Sequence, residues 1–346
     1  MSLLSKCELN SKIHSLSLDQ NKNNTHDALK EKLLDIKYPL FETIKDTLLS
    51  PLTRPIKTLA MLAISLSPQT ALGLRHFKDK YALKQVTKEN IDQAILFPQG
   101  CLPDGMQAPT PERLKALIQK VDFFAKKMGI KQKIDIYTSP KICPTGCVGG
   151  TYSYNSPFIM FDLKIINASD DELDAVICHE LTHIKENHLF KKALFSLAVL
   201  AIDILATVFI SPFAFFASEA VASLIGRVID RKMEKDSDYG AMNLLGTGKG
   251  IASFFERHAK KAIDMKNAKD FNTFVQKLDP RKVVKLKAKN KLNESWMHKA
   301  QMRITPEGNN RRDFAHPAVT TRATYARAFS PDSRKQLALH LCSTAA

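Results

Sequence analysis

Apolar residues recur at helical spacing from Leu29 to about Leu49, and the run ends at Ser50-Pro51. Thr58 to Leu74 is an uncharged stretch of 17 residues interrupted by Pro68, short for a membrane span and predicted as a buried or surface-lying helix. Four prolines between 97 and 111 mark a linker, and the main domain boundary is expected there. Thr110-Pro111 starts a helix whose one face carries Leu114, Leu117, Val121 and Phe124, and Gly129 stops it. Lys133–Thr138 alternates like a strand. After a turn of Pro and Gly, two more extended runs are expected at Gly150–Tyr154 and Phe158–Leu163, joined by Asn155-Ser156-Pro157. Ser169-Asp-Asp-Glu172 then reads as a capping box ahead of an apolar-periodic helix. The predicted class is α+β and mostly helical, with a small sheet. The expected divisions are a loose arm at 1–30, a helical region and linker at 31–108, a main domain at 109–330 and a tail at 331–346.

The helix after the capping box contains His179-Glu180-Leu181-Thr182-His183. Four residues are about one turn, so both imidazoles leave the same face and can share a metal. Glu180 is placed to reach a water activated by that metal without binding the metal itself, and to pass its proton to a leaving amine. A catalytic zinc needs a third protein ligand from elsewhere. Downstream, Glu234 and Asp238 stand four apart on a predicted helix. Glu234 can ligate, and Asp238 can accept the outer N–H of a ligating imidazole and hold its tautomer.

The ordered set of H-E-x-x-H, a hydrophobic stretch and E-x-x-x-D resembles the HtpX-like zinc metalloproteases, gluzincins related to the CAAX prenyl protease and mitochondrial quality-control peptidases. His188 stands five residues after His183, and Ala315-His316-Pro317 followed by Arg322 is similar to that family's Thr-His-Pro-Pro-x-x-x-Arg. The resemblance covers about residues 110–330. It implies one catalytic Zn2+ held by His179, His183 and Glu234, with Glu180 as general base. It also implies His188 and Asp238 as outer supports of the ligands, and His316 or Arg322 near the metal, steadying an oxyanion or fixing the site. The strand expected at Gly150, Thr151, Tyr152, Ser153 and Tyr154 then becomes a candidate edge for an extended polypeptide substrate. The family's usual Asn-Ala-Phe-Ala ahead of the strand pair is replaced here by Pro144–Gly150.

Composition changes this picture in one respect. The 346 residues hold 51 Lys+Arg against 35 Asp+Glu, a net charge of +16. Residues 227–346 alone hold 25 against 12, or +13. That excess directly follows the most apolar stretch, Ala193–Ser218, whose single charge is Asp203. Because His183 precedes this stretch and Glu234 follows it, the chain must leave the site and return. A helical hairpin over 192–226, turning at Ser211-Pro212, is therefore expected. It is expected to dip into a membrane, with full spanning, or a soluble core or dimer surface, as alternatives. Flanking Lys191, Lys192, Arg227, Arg231 and Lys232 place its loops on the cytoplasmic face, the bacterial inner membrane being the expected one. The opening residues carry no secretory signal pattern. Anionic lipid explains the charge better than nucleic acid does, since the Lys285–Lys291 run lacks interleaved aromatics. Six scattered cysteines make no disulfide framework, and Cys143 and Cys147 are expected as reduced thiols. The sequence thus predicts a zinc endopeptidase of unfolded or membrane-associated proteins, in no defined oligomeric state. The alternative is a basic binding or adaptor module with a structural, catalytically idle zinc.

Overall fold

The computed structural model describes residues 31–38, 40–41, 44–45, 47–49, 53–63, 83–92, 96–97, 101–140, 146–149, 157–313 and 315–331. Helical stretches at 31–38 and 53–63 precede a short strand β1 (Lys84–Val86). Helix α1 (Pro111–Lys127) starts at the predicted cap, with the Thr110 hydroxyl accepting from Arg113 N–H. Its predicted face is buried, Leu114, Leu117 and Val121 completely. The sheet is completed by β2 (Asp135–Ser139), β3 (Gly146–Gly149) and β4 (Phe158–Asp162) in the order β1-β2-β4-β3. β2 and β4 run parallel with Ile136 opposite Ile159, while β1 and β3 are antiparallel to their neighbours. Every residue of β4 is buried, as expected for a strand paired on both sides and covered on its faces. Because β1 pairs with β2, the sheet reaches back across the 108/109 boundary expected from the prolines.

One expectation needs correction. Residues 146–149, expected within a turn, form strand β3. Four backbone positions pair with β4 from Gly146–Phe161 to Gly149–Phe158. Ladder hydrogen bonds are made by main chain, so a glycine-rich run without apolar alternation can still pair. The strand expected at 150–154 lies outside the described residues.

A short α2 (Leu163–Ile166) leads into α3 (Asp170–Lys185), which carries the His-Glu motif. Only half of the capping box forms: Ser169 Oγ accepts from Glu172 N–H at 3.4 Å. The Glu172 carboxylate turns away to accept from Ser253 and Arg257 on α6 (Lys249–Lys266). The substitution of a tertiary partner for the local one braces α3 against α6. Asn187, at φ 53°, breaks the chain direction after α3, and α4 (His188–Phe209) follows.

The predicted turn is present. α4 ends near Ile210, and Ser211 caps α5 (Pro212–Leu245) by accepting from Ala214 N–H. α5 is one unbroken helix of 34 residues, so the return arm of the hairpin and the helix of Glu234 and Asp238 are the same element. Gly240 sets how closely α5 approaches α3, since a Cβ there would meet the Thr182 side chain at 2.5 Å. Beyond α6, the helices α7 (Phe271–Lys277), α8 (Pro280–Lys287) and α9 (Glu294–Met302) enclose a small core around Phe274, Leu278 and Met297. Finally α10 (Val319–Arg327) packs beside α6 and brings Arg322 to the centre.

Candidate metal centre

His179 and His183 project one turn apart from the buried face of α3, with their Nε2 atoms 3.1 Å apart. Glu234 reaches them from α5, with one oxygen 3.4 Å from His179 Nε2 and the other 3.6 Å from His183 Nε2. Ligand atoms about 2.0–2.2 Å from a tetrahedral ion lie roughly 3.3–3.6 Å from one another. Two nitrogens and a carboxylate at 3.1, 3.4 and 3.6 Å therefore fit one zinc-sized cation, and all three residues are held on rigid helices.

The outward nitrogens have partners that fix them. His179 Nδ1 lies 2.9 Å from Asp238 Oδ1. Asp238 is fully buried and is itself held by Arg322, whose Nε and Nη2 donate to its two oxygens at 2.7 and 2.6 Å. Arg322 Nη1 donates to Glu234 at 3.3 Å, so one guanidinium anchors both acidic residues of α5. On the other side, His183 Nδ1 lies 2.9 Å from His188 Nδ1, which Ser237 Oγ approaches at 3.4 Å. If His183 donates through Nδ1, its Nε2 lone pair faces the common point. His188 suits the accepting role because burial, followed by Lys191, lowers its pKa to about 4 and keeps it neutral.

Burial opposes the imidazolium of His179, but Asp238 and Glu234 outweigh it and raise the pKa to about 10. His183 shifts the other way, well below its usual value, through burial and its charged neighbour His179. Burial also works against the Asp238 carboxylate, yet His179 and Arg322 hold it down at about 2. Glu180, beside the first ligand, is buried and pushed up to about 7, chiefly by desolvation. A carboxyl poised near neutrality is suited to accept and release a proton.

Eight predicted site residues thus converge: His179, Glu180, His183, His188, Glu234, Asp238, His316 and Arg322. His316 is half exposed, with Nε2 3.7 Å from Glu234 and Nδ1 2.7 Å from Asp313. Arg322, expected near the metal to steady an oxyanion or fix the site, gives Nε, Nη1 and Nη2 to the two carboxylates of α5. Gly150, Thr151, Tyr152, Ser153 and Tyr154 lie outside the described residues.

Sequence reasoning missed several supports. Tyr325 donates to Asp238 from one turn beyond Arg322, and this i,i+3 spacing was a usable signal. Phe255 lies under the guanidinium with its ring centre 4.1 Å from Arg322 Cζ, and Asp313 holds His316. The first is a distant pairing with no local pattern, whereas Asp313 stands only three residues before His316, a local spacing that could have been read.

Comparison with known protein families finds a match over residues 113–328 to the model described as Peptidase family M48. Neither the curated proteins nor the solved structures compared with the chain give a match.

Proposed function

The chain belongs to peptidase family M48, a family of metal-dependent peptidases, and on that premise we propose a zinc endopeptidase acting on unfolded or membrane-associated polypeptides. The observation that carries this reading is the spacing of His179, His183 and Glu234 around one point, with a buried carboxyl next to it. Zinc held there would polarise a scissile carbonyl and acidify the attacking water.

Glu180 takes the proton of that water and hands it to the leaving amine. Its burial favours the first transfer, because a carboxylate raised to about pKa 7 is a stronger base toward the water than one at its ordinary 4.5, and it still yields the proton to a more basic leaving amine. His316, whose Nδ1–H faces Asp313, offers an Nε2–H to the oxyanion as the imidazolium, the form that Asp313 favours by raising its pKa. Arg322 is a positioning residue: it holds Asp238 and Glu234, and through Asp238 it orients His179. Among the described residues no strand flanks β3 on its outer side, which leaves main-chain groups for an extended substrate. Recognition of that kind favours extended chain over a particular sequence.

Membrane contact belongs to the same reading. α4 is long and apolar enough to cross a bilayer, and both arms of the hairpin expose apolar side chains, among them Leu205, Phe209, Phe213 and Leu224. Basic residues at its root favour the cytoplasmic face.

Purified protein should carry about one zinc per chain and cleave casein. Replacing Glu180 with Gln should leave the zinc in place and slow cleavage about 10²–10⁴-fold. A Gln variant that cleaves casein as fast as the wild type would refute the assignment of Glu180, a wild type without zinc would refute the metal site, and a wild type that holds zinc but cleaves nothing would return the chain to the adaptor alternative.

A further inference from the structure

Behind the metal centre, where the hairpin meets the rest of the protein, lies a cavity of ≈ 450 Å³. Its walls come from the 53–63 helix, the first turns of α4, the middle of α5 and the loop ahead of His316. Arg54, Lys57, Lys192, Arg227 and Arg312 contribute to its lining. Three carboxylates also line it, and each already faces a cation. Glu219 accepts two bonds from Arg54 at 2.5 and 2.6 Å, Asp230 lies 2.8 Å from Lys192, and Asp313 faces His316 at 2.7 Å. Among the described residues of the lining, five cationic side chains stand against three anionic ones, an excess of two positive charges.

The position of that excess indicates its ligand. Met61 and Phe195 line the cavity as well. On the same helices, the apolar surface continues outward through exposed Leu194, Leu197, Val221 and Leu224. A ligand that satisfies both regions has an anionic head and apolar chains. We infer that this cavity is a binding site for the phosphate headgroup of an anionic phospholipid. The headgroup sits among Lys57, Arg227 and Arg312, and the acyl chains lie along α4 and α5.

The cavity also communicates with the metal centre. Asp313 belongs to its wall and holds His316 Nδ1, and His316 Nε2 faces Glu234 at 3.7 Å. A headgroup that draws on Lys57 and Arg312 consolidates the loop carrying Asp313, and so fixes His316 for catalysis. Only this second half of the inference rests on the peptidase reading. Lipid binding can be measured whether or not the chain cleaves anything.

The test uses the full chain and two sets of vesicles, phosphatidylcholine alone and phosphatidylcholine with one-fifth phosphatidylglycerol. The wild type should float with the anionic vesicles at least about fivefold more tightly. The double variant Lys57→Gln/Arg227→Gln should lose that preference while still binding both vesicles through the hairpin. Lys57→Arg/Arg227→Lys should keep it, which separates loss of charge from loss of fold. Lys285→Gln/Lys287→Gln removes the same charge from an exposed site on α8 and should change nothing. Anionic vesicles should raise kcat on casein about fivefold or more for the wild type and not for the Gln pair.

Equal losses in the cavity and α8 variants would mean diffuse surface attraction and would overturn the site. Displacement of the vesicles by millimolar inorganic phosphate would assign the cavity to a soluble anion. If the Gln pair keeps its lipid preference but shows a raised KM only for peptides with a free C-terminus, the cavity is a substrate subsite.

Discussion

The two halves of α5 are one helix with opposite distributions of polar and apolar side chains. From Phe213 to Val228 it turns large apolar side chains outward, with Phe213 81% exposed, and it buries Glu219 against Arg54. From Met233 to Met242 it does the reverse and buries Ser237, Asp238 and Ala241 completely, beside Glu234. In the second half, polar groups are inside because each has a partner: Arg322 and Tyr325 donate to Asp238, His179 Nδ1 faces it at 2.9 Å, and His188 faces Ser237. The first half exposes apolar side chains, a surface that the membrane contact proposed above would cover. The same periodicity therefore carries opposite meanings along one helix, and the surroundings have to be read before the pattern.

The contrast is most directly broken at Arg322. Exchanging it for Ala leaves Asp238 and Glu234 buried without their cation, a loss on the order of 3–5 kcal/mol. It should appear as a lowered urea midpoint and weaker zinc retention. Acid should attack the same half. Asp238 has a folded pKa of about 2 against an ordinary 3.8. Its contribution is therefore complete above pH 4 and disappears as pH falls through 2, a change of roughly 2–3 kcal/mol. Asp238→Asn protein should show a correspondingly flatter loss of stability between pH 5 and 2, and an unchanged slope would contradict this assignment. Gly240→Ala pushes Thr182 and should cost about 1–3 kcal/mol, with a lower melting temperature.

In the apolar half, Val208→Asn with Phe209→Asn should move the melting temperature in detergent hardly at all, within about 0.5 kcal/mol per site. The pair should nevertheless reduce membrane recovery on fractionation. A large stability loss there would mean that the hairpin is packed in a soluble core. A further measurement sharpens the polar side. Since Asp238 and Glu234 keep a proton on His179 up to about pH 10, zinc loading at pH 7 should release it. Calorimetry in buffers of different ionisation enthalpy should count about one proton.

How far the sequence reaches depends on whether a feature is local. The face of α1, the His-Glu helix and the Ser211 turn could all be read, because each depends on spacing or capping within a few residues. Strand β1 could not, since Lys84-Gln-Val86 is too short to show alternation. β3 was hidden by its glycines, and the unbroken length of α5 by the reversal of its apolar face. Glu234 and Asp238 were legible as a pair because they stand one turn apart on one helix. That Arg322 binds both is a tertiary fact, as is the buried Arg311, which ties Glu31 and Asp35 near the start of the described chain to the loop before α10.

The unbroken helix also acts as a ruler. Seven residues separate Arg227, at the root of the hairpin, from Glu234, or about 10 Å at 1.5 Å per residue. With the hairpin in lipid, no hinge within α5 lets the cutting point rise or sink, so it stands at one height above the headgroups. An extended chain advances about 3.3–3.6 Å per residue, so roughly three residues bridge that gap. For a substrate emerging from the bilayer, the bond that is cut would then be chosen by its distance from the membrane, with side-chain identity secondary.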